Sequence, residues 1–385
     1  MSNEQADVLV LIGTRKGGFI LSSDINRKKW EIKGPVFKGW NVMHMAFDPR
    51  DQRLHAAVVH DVYGPSTHYS DDFGESWTQG KKAPIFSRPS KSSRPLGTPE
   101  EAKSPEEAKE QIEKVLKVWH IRPAGMDKPG FLYAGVEPAA LFISTDRGET
   151  WQLNTSLYDH PHRADWFPGA GGLCLHTIIP DPVNPERIYV AVSTGGCYRT
   201  DDGGKTWNPY NKNVRADFLP DKFPEYGQCV HKMVIHPDRP ETIFQQNHCG
   251  VYRSDNQGKD WIDIGDQKLP SRFGFPIAVH PHDPETIYIV LEESDQYRLS
   301  VDGSFAVWRS QDSGDSWQRI TEGLPGKAHL VVLREAMATD QFEEAGIYIG
   351  TSTGQVFASN DSGDSWEKIV DYLPRILSVE TATLT

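Results

Sequence analysis

The sequence predicts an all-β fold, a seven-bladed β-propeller closed by its own terminal strands, and three observations predict it. A short acidic turn ending in tryptophan recurs seven times along the chain, at a spacing of about 50 residues, which suits four short strands per unit. Each recurrence follows a run rich in β-branched and aromatic residues, the composition of a strand. The 385 residues include 33 Gly and 27 Pro, enough turn-formers for many short strands.

The copies read SDDFGESW (Ser70 to Trp77), STDRGETW (Ser144 to Trp151), TDDGGKTW (Thr200 to Trp207), SDNQGKDW (Ser254 to Trp261), SQDSGDSW (Ser310 to Trp317) and SNDSGDSW (Ser359 to Trp366). A worn first copy, SSDINRKKW, runs from Ser22 to Trp30. In each, the Asp can accept from amides of its own turn and the Gly can take the left-handed conformation that closes it. The Trp offers a large apolar face to wedge between neighbouring sheets. A motif present in every unit is structural, whereas an active site is expected once.

The units can be followed in order. The first opens directly with Val8 to Gly13 and Gly18 to Ser22 and lacks an innermost strand, while the stretch Arg375 to Thr381, after the last Trp, is free to supply it. Pairing the two in one blade removes two open edges. Between Trp77 and Trp151 the gap is long, and residues 82–117 form an insertion. Ser104, Pro105 and Glu107 suit a helix start, so a helix from about Pro105 to Leu116 is expected, either as a lid or rim over the axis or as a tolerated surface insertion. The whole of 1–385 is expected to form a single propeller domain.

The quoted turns make the chain resemble the Asp-box (BNR-repeat) propellers. That architecture is shared by sialidases, xyloglucan-cleaving glycosidases, sortilin ectodomains and a photosystem II assembly factor. The resemblance covers nearly the whole chain and implies the fold; it leaves function open, because these proteins include enzymes, receptors and assembly factors. The Phe/Tyr-Arg-Ile-Pro segment of sialidases is absent, which argues against sialidase activity.

A formal charge of -12 argues against nucleic acid or an anionic membrane as a partner. The polar start MSNEQADVLVLIGTRKGG lacks the pattern of a secretion signal, and no run is long enough to span a bilayer, so a cytoplasmic protein is expected. The four cysteines, Cys174, Cys197, Cys229 and Cys249, fit reduced thiols.

Chemistry is expected on the axis. Aligning units by the aromatics Tyr133, Tyr189, Phe244 and Tyr288 places His120, His176, His231 and Phe275 thirteen residues earlier, in one inner-strand register. His329 lies at a similar place in the seventh unit, and the second unit has Met43 there with His44 beside it. His120, His176, His231 and His329 are therefore expected to bind a divalent transition metal, Zn, Fe or Mn among the candidates, with water between structural histidines as the alternative. On the same side, loops carry Glu137 and Glu292, candidates for acid and base, and Arg15, His60 and His248 as candidate ligand contacts.

Two loops carry Arg-Ala-Asp-aromatic, as Arg163-Ala164-Asp165-Trp166 and Arg215-Ala216-Asp217-Phe218. Arg163, Asp165, Trp166 and Arg215 are expected to line a pocket for a small-molecule or saccharide-like ligand, polar or anionic. The functional expectation is a metal-dependent lyase, hydrolase or oxygenase. The alternatives are a glycoside hydrolase of the BNR type and a non-catalytic scaffold that holds a protein partner.

Overall fold

A computed structural model describes residues 7–89 and 112–384. Seven four-stranded antiparallel sheets form the ring, each built from strands consecutive in sequence except the one that closes it. In that closing blade the order is Ile376–Thr383, Val8–Thr14, Gly17–Ser23 and Glu31–Val36. The terminal strand pairs antiparallel with the first, Leu11 opposite Glu380 and Ile12 opposite Val379. The expected closure therefore forms, and the strand Val8–Thr14 is fully buried.

The Asp-box turns explain how the blades are pinned. In the third, Ser144 Oγ donates to Asp146 Oδ1 at 2.8 Å and accepts from the Gly148 amide at 2.9 Å. Asp146 Oδ1 accepts the Thr150 amide at 2.9 Å and Oδ2 accepts its hydroxyl at 2.6 Å. Gly148 has φ +84°, a conformation in which a side chain would be strained. The tryptophans reach back to the preceding blade: Trp151 Nε1 donates to Thr67 Oγ1, Trp207 Nε1 to Asn154 Oδ1 and Trp261 Nε1 to the Tyr210 carbonyl. Trp317 Nε1 likewise donates to the Ile264 carbonyl, so four of the motifs tie their blade to the one before it by an indole hydrogen bond, whereas Trp30 Nε1 bonds the Arg27 carbonyl of its own turn.

The expected helix over Pro105 to Leu116 lies outside the described residues except for 112–116, which carry no regular secondary structure. The only α-helix among the described residues is the single turn Thr155–Tyr158. Both described ends of the insertion dock near that turn: from one, Phe86 stacks on Tyr158 with ring centroids 5.0 Å apart and Arg88 pairs with Asp159 at 2.6 Å; from the other, Glu113 Oε2 accepts from the Tyr158 hydroxyl at 3.1 Å. No helix among the described residues is long and apolar enough to cross a membrane.

Candidate functional site

The innermost strands share one irregularity that builds the site. In Asn41–Asp48 the pairing steps from Val42 to His44, in Lys117–Pro123 from Val118 to His120, in Leu175–Pro180 from Leu175 to Thr177, and in Val230–Ile235 from Val230 to Lys232. Each step leaves one residue unpaired in a β-bulge: Met43, Trp119, His176 and His231 respectively. In Phe273–His280 the pairing likewise steps from Gly274 to Ile277, which leaves out Phe275 and Pro276. Bulges re-aim side chains. Met43, Trp119, His231 and Phe275 turn into a cavity of about 800 Å³ at one mouth of the axis.

That well is cationic despite the acidic chain. Arg15, Arg298, Arg334, Arg375 and Lys117 line it, beside the aromatic faces of Trp119, Phe167, Phe218 and Phe275. Arg334 Nη1 donates to Ser193 Oγ at 2.9 Å and lies over the Trp119 ring. Burial, and then the nearby Arg15 guanidinium, lower the pKa of Arg375. Glu137 is a carboxylate on the wall: its Oε2 accepts from Lys117 Nζ at 2.8 Å and from Trp119 Nε1 at 2.9 Å. Gly172, with φ +91°, a backbone conformation strained for residues with a side chain, brings its loop against Glu137 Oε1.

The residues that follow the bulges turn the other way and seal the axis. His44, His120 and Lys232 meet Glu335 and Glu380 from five blades. His44 Nε2 lies 3.3 Å from Glu380 Oε1, and His120 Nδ1 lies 3.5 Å from Glu335 Oε2, which also holds the Lys232 ammonium. Burial opposes the charge on Glu335, yet Lys232 and the two imidazoles hold its carboxyl well below the usual range. Burial, then His44, pushes His120 down to about 4. The result is a buried ionic plug at the base of the well.

The BNR/Asp-box repeat pattern matches residues 142–153 and 198–209. The chain is a seven-bladed Asp-box propeller. The probable oligoxyloglucan-reducing end-specific xyloglucanase of Neosartorya fischeri is 40% identical over 223 residues, which cover 51% of this chain and 26% of that protein. Xyloglucanase Xgh74A of Acetivibrio thermocellus is 24% identical over 173 residues, 41% of this chain and 18% of that protein. The chain therefore spans about a quarter or less of the curated relatives it matches. Among solved structures, the GH74 xyloglucanase from Xanthomonas campestris superposes with a TM-score of 0.64 at 15% identity, covering 96% of this chain and 54% of that one. A putative 6-phosphogluconolactonase from Bacteroides uniformis superposes with a TM-score of 0.56 at 10% identity, covering 98% and 100%. These likenesses are of fold.

On this Asp-box propeller the four expected metal histidines do not meet. His120 sits in the axial plug, one position past the bulge occupied by its supposed equivalents His176 and His231. His176 uses both ring nitrogens within the protein, Nε2 on the Val230 carbonyl at 2.9 Å and Nδ1 on Thr177 Oγ1 at 3.0 Å, so it has no lone pair to give. His329 is exposed beside Gly303, in a separate shallow cavity. His231 lines the well.

The expected contacts divide similarly. Arg15 and His248 line the well of the propeller. His60 instead packs on Trp40 and Tyr63, its Nδ1 accepting the Val62 amide. Arg163 is fully buried and does not line the well: Glu113, 2.8 Å away, pairs with it, and it lies over the Tyr158 ring. Asp165 accepts from the Tyr226 hydroxyl, and Trp166, 2% exposed, bonds Tyr198. Arg215 pairs with Asp217 outside the well. The loop's neighbour Phe167, 40% exposed, and Phe218 supply the aromatic lining. Glu292 is 2% exposed and stands behind the wall; burial raises its pKa to about 8 against the opposing pull of Arg298 and Arg375. Arg298, Arg334 and Arg375 went unread in the sequence because single arginines on unlike loops carry no pattern.

Proposed function

We propose that this chain is a glycoside hydrolase that takes an acidic saccharide into the axial well. The observation that carries the reading is the convergence of four guanidiniums and one ammonium on a well with aromatic walls and a carboxylate, Glu137. Aromatic faces suit the apolar faces of sugar rings, and guanidiniums suit a carboxylate. The xyloglucanase relatives support a saccharide as the ligand. Their own linkages and chain lengths are theirs, and nothing in the well singles out xyloglucan.

Glycoside hydrolysis commonly uses one carboxylate and one carboxylic acid. Glu137, with two N–H donors fixing Oε2 and its other oxygen toward Gly172, is assigned the carboxylate role. Glu292 stands outside the lining of the well and is assigned no contact with the sugar; burial raises its pKa to about 8, toward the neutral acid. That state leaves Arg298 and Arg375 short of a counter-ion, which the acidic sugar supplies.

The test is release of new reducing ends from neutral and uronate-bearing oligosaccharides by the full chain. Cleavage of the uronate-bearing set, reduced at least about 100-fold in Glu137→Gln, is expected. Cleavage confined to neutral sugars would remove the acidic-ligand reading, and cleavage of neither set would remove the hydrolase reading.

A further inference from the structure

One wall of the well carries a constellation the hydrolase reading does not use. Cys229, immediately before the strand Val230–Ile235, His231 in its bulge, and His248, just after the strand Ile243–Asn247, each offer one ligand atom, and these atoms lie within 4.8 Å of one another. All three line the cavity.

The hydrogen bonds fix which nitrogens are free. His231 Nδ1 lies 2.6 Å from the Gly274 carbonyl oxygen, which can only accept, so Nδ1 carries the ring proton and Nε2 presents a lone pair. His231 is 2% exposed, and no described residue bonds that nitrogen. His248 Nε2 lies 3.3 Å from Asp295 Oδ2, again an acceptor, which leaves its Nδ1 as the lone pair. One imidazole tied to a carbonyl and another to a carboxylate is the arrangement that orients metal-ligating histidines. The rings are also held: His231 stacks on Phe275 with centroids 4.5 Å apart, and His248 packs edge-on against Phe218 and Phe273.

The axial plug, which brings His44, His120 and Glu335 equally close, fails the same test. His44 accepts the Ile121 amide at Nδ1 and faces Glu380 at Nε2, so no lone pair remains, and Lys232 already supplies the cation at Glu335.

We propose that Cys229, His231 and His248 form an open three-ligand site for a divalent transition metal of the zinc class, its fourth position facing the well. Around zinc, tetrahedral N and S donors stand about 3.5 Å apart, so the three atoms need close in by only about 1 Å. Binding forms the sulfur–metal bond as the Cys229 thiol gives its proton to solvent, one proton released per ion. The thiolate leaves the site with one net positive charge beside Arg298 and Arg334, which favours an anion, hydroxide or carboxylate, as fourth ligand. The inference concerns binding and stands apart from the hydrolase reading.

The experiment is titration of the metal-stripped, untagged full chain with Co(II), followed by absorption. The expected result is one equivalent bound with a thiolate-to-cobalt band in the near ultraviolet and the visible bands of a four-coordinate ion, all displaced by Zn(II). Cys229→Ser should lose the near-ultraviolet band, Cys174→Ser should keep it, and Asp295→Asn should weaken affinity about 10–100-fold through the loosened His248 ring. Absence of the band in the parent chain, its survival in Cys229→Ser, or its loss only in His120→Asn would each overturn the proposal.

Discussion

At the scale of single residues, Glu292 gives the sharpest case. Neither carboxylate oxygen has a hydrogen-bond partner among the described residues and both are buried, so burial favours the neutral acid. Its folded pKa, about 8, lies above the ordinary glutamate value of 4.5. Between those values the folded chain holds a proton that the unfolded chain has released. Stability is therefore full below the unfolded pKa and falls as pH rises, by at most about 1.4 kcal/mol per pH unit. Glu292→Gln keeps the shape without the charge. Urea unfolding across that window should show a flatter pH profile than the parent, with the variant the more stable on the alkaline side; parallel profiles would sink this account. Glu292 was legible in the sequence as a loop carboxylate, but its burial was not, since exposure depends on how Arg298 and the strand Phe273–His280 fold over it. Trp166 and Phe167 make the same point: one of two adjacent aromatics had to face the core, and the sequence does not say which.

At the scale of elements, the bulges decided which histidines meet. Counting thirteen residues from a shared aromatic aligned His120 with His176 and His231, yet the bulge falls on Trp119 in that blade and on the histidines in the next two. A single-residue offset in a strand sends a side chain to the opposite face, so His120 joined His44 in the plug while Trp119 took the place in the well. The turns, the blade number and the closing strand were readable because they repeat or complete a repeat; a bulge shifted by one position leaves no comparable trace. The close fit of innermost strands invites a direct test. A β-carbon on Gly13 would stand 2.4 Å from Ser378 Oγ and 2.5 Å from the Val42 carbonyl oxygen, atoms of its own blade and the next. Gly13→Ala should cost about 1–3 kcal/mol by forcing those strands apart. Chemical denaturation reads the loss, and an unchanged midpoint would show that the ring yields there at no cost.

At the scale of the whole molecule, the charges are segregated. The chain carries a formal -12, yet five cations line one mouth of its axis. The acidic exterior repels anions at long range, whereas the well attracts them once inside. Added salt screens both effects, with a Debye length shrinking from about 30 Å at 0.01 M to about 3 Å at 1 M. For an acidic oligosaccharide the contact attraction should dominate, so affinity measured by calorimetry should fall across that range while a neutral oligosaccharide of equal length is nearly unaffected. Equal responses from both would remove the cationic well as the basis of binding.

The plug has a kinetic consequence of its own. His44, His120, Lys232, Glu335 and Glu380 bolt the ring shut across its centre, so the propeller is a cup and not a pipe. Whatever enters must leave by the door it came in. On the proposed hydrolase reading, a cup admits the tip of a polymer and not its middle, and a spent fragment blocks the next arrival until it diffuses out; that reading predicts turnover that slows as fragments accumulate, with inhibition of the competitive kind.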